Sequence, residues 1–312
     1  MSRLIFGFPI FALALIAVSI AACATPPIPA NATPKTSLRV LAVETFLADI
    51  AQNVAGTRAR VDALIPAGVD PHGFEPTPAD VRQVADSQVL IVNGAGLEEF
   101  LTKLLANAGG KRIVVEASAG LASRKPAANE VLDPDHQGDP HFWLDPNNVT
   151  QYAENIRDGL SQADPAGAPT YQANAEAYSA QLKSLDAWIA EQVKPIPPER
   201  RLLVTNHESL GYFADRYGFR IVGTIIPSVS SDASSSAQQL AALVNQIKSA
   251  KAQAIFLETG TNAQLAKQIA PEAGIKVVSE LYTHSLTNAQ GPAPTYLGMM
   301  EYNTRTIANA LK

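Results

Sequence analysis

Residues 201–226 read RLLVTNHESLGYFADRYGFRIVGTII. Two short apolar runs, RLLVTN (201–206) and RIVGTII (220–226), flank a helix candidate at 208–217. Runs of this length, rich in Leu, Ile and Val, read as strands buried on both faces. Downstream the style repeats. AQAIFLET (252–259) and IKVVSELY (275–282) are strand candidates, and helices are expected at 235–250, 261–272 and 294–311. Alternation of strand and helix argues for a parallel sheet covered by helices.

The first half has the same grammar. LRVLAVE (38–44), RARVDALI (58–65), QVLIVNG (88–94) and RIVVEA (112–117) are strand candidates. Thr77 and Pro78 have the form of a helix start, a capping hydroxyl followed by proline at the first helical position, and GLEEFLTKLLANAGG (96–110) has apolar spacing of three and four ended by glycine. The fold class predicted is therefore α/β, with two lobes, each a mostly parallel sheet flanked by helices. Between them a long pattern at 170–193 places Tyr171, Ala175, Tyr178, Leu182, Leu185 and Ile189 on one face. The prolines of KPIPPER (194–200) end it. The expected boundaries are a lobe at 38–165, a linking helix at 166–195 and a second lobe at 196–312.

The chain has 312 residues, 46% hydrophobic and 17% charged, with a net charge of −5. That is long enough for two domains and lacks the clustered basic face of a nucleic-acid binder. The N-terminus differs in kind. Arg3 precedes the apolar run LIFGFPIFALALIAVSIAAC, which has the n- and h-regions of a secretory signal. The single cysteine, Cys23, closes it in SIAAC, resembling a bacterial lipobox in which cleavage leaves Cys23 carrying lipid. Residues 1–23 are thus read as a signal peptide. The proline-rich residues 24–37 are read as a tether, and no disulfide framework is expected.

Five histidines are spread along the chain. His72 follows a strand candidate after a Pro/Gly loop, and His207 and His284 come just after strand candidates, where open α/β sheets bind ligands. His72 and His141 share the tripeptide Asp-Pro-His, in GVDPHGFEP (68–76) and GDPHFWLDP (138–146). Proline fixes its own φ and extends the aspartate before it, so each histidine leaves the main chain in a preset direction. The aspartate has two readings: it accepts an imidazole N–H and fixes the tautomer, or it caps a turn. His136 lies inside the polar loop 122–140. The spacing matches neither the helical pair of a metalloprotease nor a zinc finger, so a shared metal site would have to assemble from both lobes.

Four stretches carry a family resemblance: VDPHGFEPTPADVRQVADSQVLIVNGAGLEEFL, DPHFWLDPNN, LLVTNHESLGYFADRYGF and SELYTHSL with YLGMMEYNTRTIANAL. In order and separation they resemble the zinc- and manganese-binding solute-binding proteins of bacterial ABC transporters, the ZnuA/TroA-like family, over nearly all of the chain after Leu38. The resemblance implies two α/β lobes, one rigid linking helix and a metal in the cleft between them. It puts the metal ligands on His72, His141 and His207. The fourth position, commonly aspartate in a context like YTDSL, is His284 here. Four imidazoles suit tetrahedral Zn(II), whereas manganese favours oxygen ligands. Charge compensation would fall to supporting carboxylates, for which Asp70, Asp139, Asp145 and Glu208 are the candidates. A weak auxiliary site at Asp133, Asp135 and His136 is a further candidate.

The expected function is that of a lipid-anchored, extracytoplasmic and monomeric Zn(II) receptor. It would deliver its cargo to an ABC permease with a cytoplasmic ATPase, without catalysing a reaction and without nucleic acid. A manganese receptor of the same family is the alternative. A zinc-dependent hydrolase with Glu208 as general base is the rival from another class, opposed by the fourth histidine and by the absence of a nucleophile motif.

Overall fold

The computed structural model describes residues 38–124, 138–260 and 263–312, together with Met1, Ser2 and Gly7. The readings made on Cys23, the tether and the loop residues Asp133, Asp135 and His136 lie outside the described residues. Ser37–Lys312 forms one compact unit. Among the described residues no helix is long and apolar enough to cross a membrane.

The unit holds two sheets of four parallel strands. The first comprises β1 (Arg39–Ala42), β2 (Arg60–Ala63), β3 (Val89–Val92) and β4 (Ile113–Glu116), in the order β2-β1-β3-β4. The second comprises β5 (Leu202–Thr205), β6 (Arg220–Thr224), β7 (Ala254–Glu258) and β8 (Lys276–Leu281), in the corresponding order β6-β5-β7-β8. In each sheet the chain leaves its first strand to one side and returns on the other. The carboxyl ends of β1 and β3, and of β5 and β7, therefore flank a topological switch point, the place where such sheets bind ligands.

Parallel strands connected by helices are covered on both faces, which explains the continuous apolar runs. Successive side chains point to opposite faces, and each sheet uses this to serve two cores. Val40, Ala42, Val89, Ile91, Leu203, Ala254 and Phe256 enter a central core common to both sheets. Leu41, Val43, Leu90 and Val92 face a separate cluster with Val84 and Leu104, and Val204, Ile255 and Leu257 face another with Leu243 and Ile247.

The common core is filled by α1 (Thr45–Ala55), α4 (Pro146–Ala163), α5 (Ala168–Val193) and α9 (Tyr296–Leu311). The helix α5 joins the strands of one sheet to those of the next and buries Tyr171, Ala175, Tyr178, Leu182, Leu185, Ile189 and Val193. The outer helices are α2 (Pro78–Asp86) and α3 (Leu101–Ala108) on the first sheet, and α7 (Ala237–Ala250) and α8 (Gln264–Ala273) on the second. The short helix α6 (Gly211–Tyr217) follows β5. Thr77 caps α2 in a reciprocal box with Asp80. The helices α1 and α4 were not picked out from the sequence.

Candidate metal centre

The carboxyl ends of the two sheets bring His72, His141, His207 and His284 together. One ligand atom from each lies within 4.8 Å of every other. His141 and His207 are 0% exposed, His72 5% and His284 7%. The Nε2 atoms converge: His141 Nε2 lies 3.0 Å from that of His284 and 3.4 Å from those of His72 and His207.

Each histidine is placed by local chain chemistry. His207 leaves the end of β5 after Thr205, whose hydroxyl donates to the His207 carbonyl at 2.8 Å. His284 follows β8. His72 and His141 sit in matching turns: Asp70 Oδ1 accepts from the His72 main-chain N–H at 3.0 Å, and Asp139 Oδ1 accepts from that of His141 at 3.0 Å. This is the aspartate side chain bonding its own backbone two residues on. The repeated tripeptide thus builds the same turn twice.

Beyond the turn the two aspartates diverge. Asp139 Oδ1 also lies 2.8 Å from His141 Nδ1, an acceptor that fixes the proton there and leaves Nε2 as the donor atom for a metal. The hydroxyl of Tyr212 donates to the Asp139 carbonyl at 2.8 Å. Asp70 instead takes the Ser231 hydroxyl on Oδ2 at 2.6 Å, a bond across the cleft. Next to it, a Cβ on Gly73 would lie 2.7 Å from Asp232 Oδ1, so the His72 loop meets the opposite wall at a glycine. The segment behind His141 is fixed by Trp143, which stacks on Phe46 at 4.3 Å and donates Nε1–H to the Thr283 carbonyl at 2.7 Å.

Two of the expected supporting carboxylates, Asp145 and Glu208, have contacts away from the imidazoles. Asp145 caps α4, accepting from Asn147 N at 2.9 Å; proline at the first helical position and the need to satisfy helix N–H groups account for it. Glu208 neighbours His207 in sequence and donates its main-chain N–H to the Ser228 carbonyl at 2.9 Å, and a carboxylate the sequence reading did not name, Glu258, meets His207. Glu258 Oε1 lies 2.9 Å from His207 Nδ1 and Oε2 lies 3.3 Å from His284 Nδ1. The first contact is short, although the ring N–H is off the line to the oxygen and makes no well-formed hydrogen bond; at 2.9 Å the acceptor oxygen still favours a proton on Nδ1. The Ser209 hydroxyl donates to Oε1 at 3.1 Å, and that of Thr283 donates to Oε2.

Glu258 was missed in the sequence because it ends the apolar run of β7. The available signal was its charge: a carboxylate closing a buried strand that shares the switch point with the strand before His207. Burial opposes its ionisation, yet His207 and His284 hold its carboxyl well below the usual range. Burial likewise pushes His284 down, but the Glu258 hydrogen bond and the charge of Asp70 overcome this and raise its pKa.

Comparison with known proteins agrees with this architecture. The sequence model of the family described as zinc-uptake complex component A, periplasmic, matches residues 40–310. The manganese-binding lipoprotein MntA of Halalkalibacterium halodurans is 35% identical over 100% of this chain and 99% of its own. The iron-binding protein YfeA of Yersinia pestis is 32% identical over 86% of this chain and 85% of its own. Among solved structures, the periplasmic zinc-binding protein TroA of Treponema pallidum superposes with a TM-score of 0.80 at 27% identity, covering 88% of this chain and 99% of its own.

Proposed function

The chain belongs to the zinc-uptake complex component A family, whose members are metal receptors of ABC importers and not enzymes, and on that premise we propose that its cargo is Zn(II). The ligands in this reading are His72, His141, His207 and His284. The cargo passes to an ABC permease powered by a cytoplasmic ATPase. Cys23 carries the lipid that holds a monomeric receptor, lobes 38–165 and 196–312, outside the cytoplasm.

The observation that carries the choice of zinc is the spacing of the Nε2 atoms. With Zn–N bonds of about 2.0–2.1 Å, the edge of a nitrogen tetrahedron is about 3.3–3.4 Å; the three edges at His141, 3.4, 3.4 and 3.0 Å, approach it, and every pair of ligand atoms lies within 4.8 Å. The nearby carboxylates of Asp139 and Glu258 face Nδ1 atoms on the far sides of the rings. That arrangement favours a nitrogen site over the oxygen-rich site manganese prefers. Manganese remains the second reading because MntA, 35% identical, is named for it.

Competition with a chromophoric chelator, on the chain lacking residues 1–23, tests the reading. His284→Ala is expected to weaken zinc binding tenfold or more, about 1.4 kcal/mol. His284→Asp should move the preference toward manganese. An unchanged zinc affinity in His284→Ala removes the fourth nitrogen and with it the case for zinc. Protons compete with metal for imidazole, so affinity should fall with pH through the histidine range. The raised pKa of His284 moves that fall toward higher pH.

A further inference from the structure

We propose that Glu258 is the positioning residue that sets the chemistry of this centre: it holds His207 and His284 as one preformed pair of nitrogen donors and keeps carboxylate oxygen away from the cation. The inference rests on the reading of the four imidazoles as cargo ligands and names what makes two of them competent.

Glu258 ends β7, beside the strand that delivers His207, and its side chain is 1% exposed. An ionised carboxylate accepts and never donates, with about four lone-pair sites on its two oxygens. Around Glu258 four neighbours divide between the two oxygens. Oε1 has His207 Nδ1 and the Ser209 hydroxyl; Oε2 has His284 Nδ1 and the Thr283 hydroxyl. The Thr283 oxygen, having given its proton to Oε2, also lies 3.0 Å from His284 Nδ1 and is left as an acceptor there.

Both consequences are chemical. First, His207 and His284 each meet acceptors at Nδ1, so each carries its proton there and turns the Nε2 lone pair inward. One carboxylate thereby presets two ligands. Second, the two oxygens face ring Nδ1 atoms and the Ser209 and Thr283 hydroxyls, on the sides of the imidazoles away from the converging Nε2 atoms. Asp139 does the first job for His141 alone. Partners of this kind change metal affinity by about 10–100-fold when lost, and Glu258 serves two ligands where Asp139 serves one.

Glutamine is the informative substitution. Its amide accepts on one atom and only donates on the other. In Glu258→Gln one imidazole therefore faces a donor at Nδ1, which drives its proton to Nε2 and removes that nitrogen from the metal.

The test is long-range proton–nitrogen NMR of histidine-labelled, metal-free protein at about pH 8.5, above the ordinary histidine range. His207→Ala and His284→Ala supply the assignments. Wild type should show both residues as Nδ1–H tautomers. Glu258→Gln should show one of them as Nε2–H, and zinc binding about 100-fold weaker, against about tenfold for Asp139→Asn. An Nε2–H tautomer at either residue in wild type overturns the inference without any variant having to fold. So does a Glu258→Gln protein that keeps both tautomers and binds zinc within threefold of wild type. If wild type shows the expected tautomers but does not bind zinc, the cargo reading fails while the positioning role stands.

Discussion

Asp70 and Asp139 close the same turn, yet one carboxylate ends on an imidazole and the other on Ser231. The tripeptide repeat was legible in the sequence; the second partner was not, because it comes from whatever the fold packs alongside. The same holds for a buried pair at the other switch point. Glu44 follows β1 and is 1% exposed; Glu98 is 6% exposed and accepts from the main-chain N–H groups of Asn93 at 2.5 Å and Gly94 at 3.1 Å. Burial, then the proximity of Glu98, holds the Glu44 carboxyl well above its usual range, and burial pushes Glu98 up to about 7 despite its two N–H donors. A carboxyl raised in the folded state favours folding below its unfolded value, and that contribution is lost as pH rises through the folded value. For Glu98 the window runs from 4.5 to about 7. Glu44→Gln removes one ionisable partner, so its melting temperature should gain on wild type at pH 8 relative to pH 5. A constant difference between variant and wild type across that window would show that the pair does not titrate there.

At the scale of elements, the eight strands were legible as apolar runs, and so was the α5 stripe at Tyr171, Ala175, Tyr178, Leu182, Leu185 and Ile189, which is the face it buries. The helix α4 was not. Its buried positions Val149, Tyr152, Ala153, Ile156 and Leu160 keep the spacing of three and four, but they sit among Asn, Gln, Glu, Arg and Asp, which dilute the stripe. Asp145, a candidate supporting carboxylate in the sequence, caps this helix. Three of the four histidines could be placed after strand candidates, but the distances among the four depend on sheets paired far apart in sequence, and Glu258 lay hidden in the apolar run of its strand. Asp145→Ala should cost about 0.5–2 kcal/mol, the usual loss for a helix cap, and leave zinc affinity within twofold. Denaturant unfolding read beside chelator competition separates the two effects. A tenfold loss of zinc affinity at unchanged stability would return Asp145 to the metal centre.

Across the whole molecule, the two sheets share one core, so their facing strands cannot part without exposing Phe46, Trp143, Tyr178, Phe256 and Tyr296. Burial on that scale favours small local movements over free swinging of lobes. The element best placed to move is the loop that carries His72, an irregular stretch between β2 and α2. It is tied across the cleft by the Ser231 hydroxyl on Asp70 and, two residues earlier, by the Gly68 N–H on Ser285 Oγ at 2.7 Å. His141 is instead backed by Asp139 in its own turn, and His207 and His284 by Glu258 at the end of β7. Release should therefore begin with His72, and the bond at Ser231 should slow it. Ser231→Ala removes that bond while sparing the turn that Asp70 makes with the His72 N–H. A hydrogen bond to a charged group contributes about 1.5–3 kcal/mol, so zinc dissociation should quicken by about tenfold or more. Association should change by less than twofold, because the donor atoms are untouched. Stopped-flow release into excess chelator measures the first rate and rapid mixing with zinc the second. Equal dissociation rates would place the barrier to release elsewhere than the His72 loop, and a slowed association would mean that Ser231 shapes the empty site rather than closing the filled one.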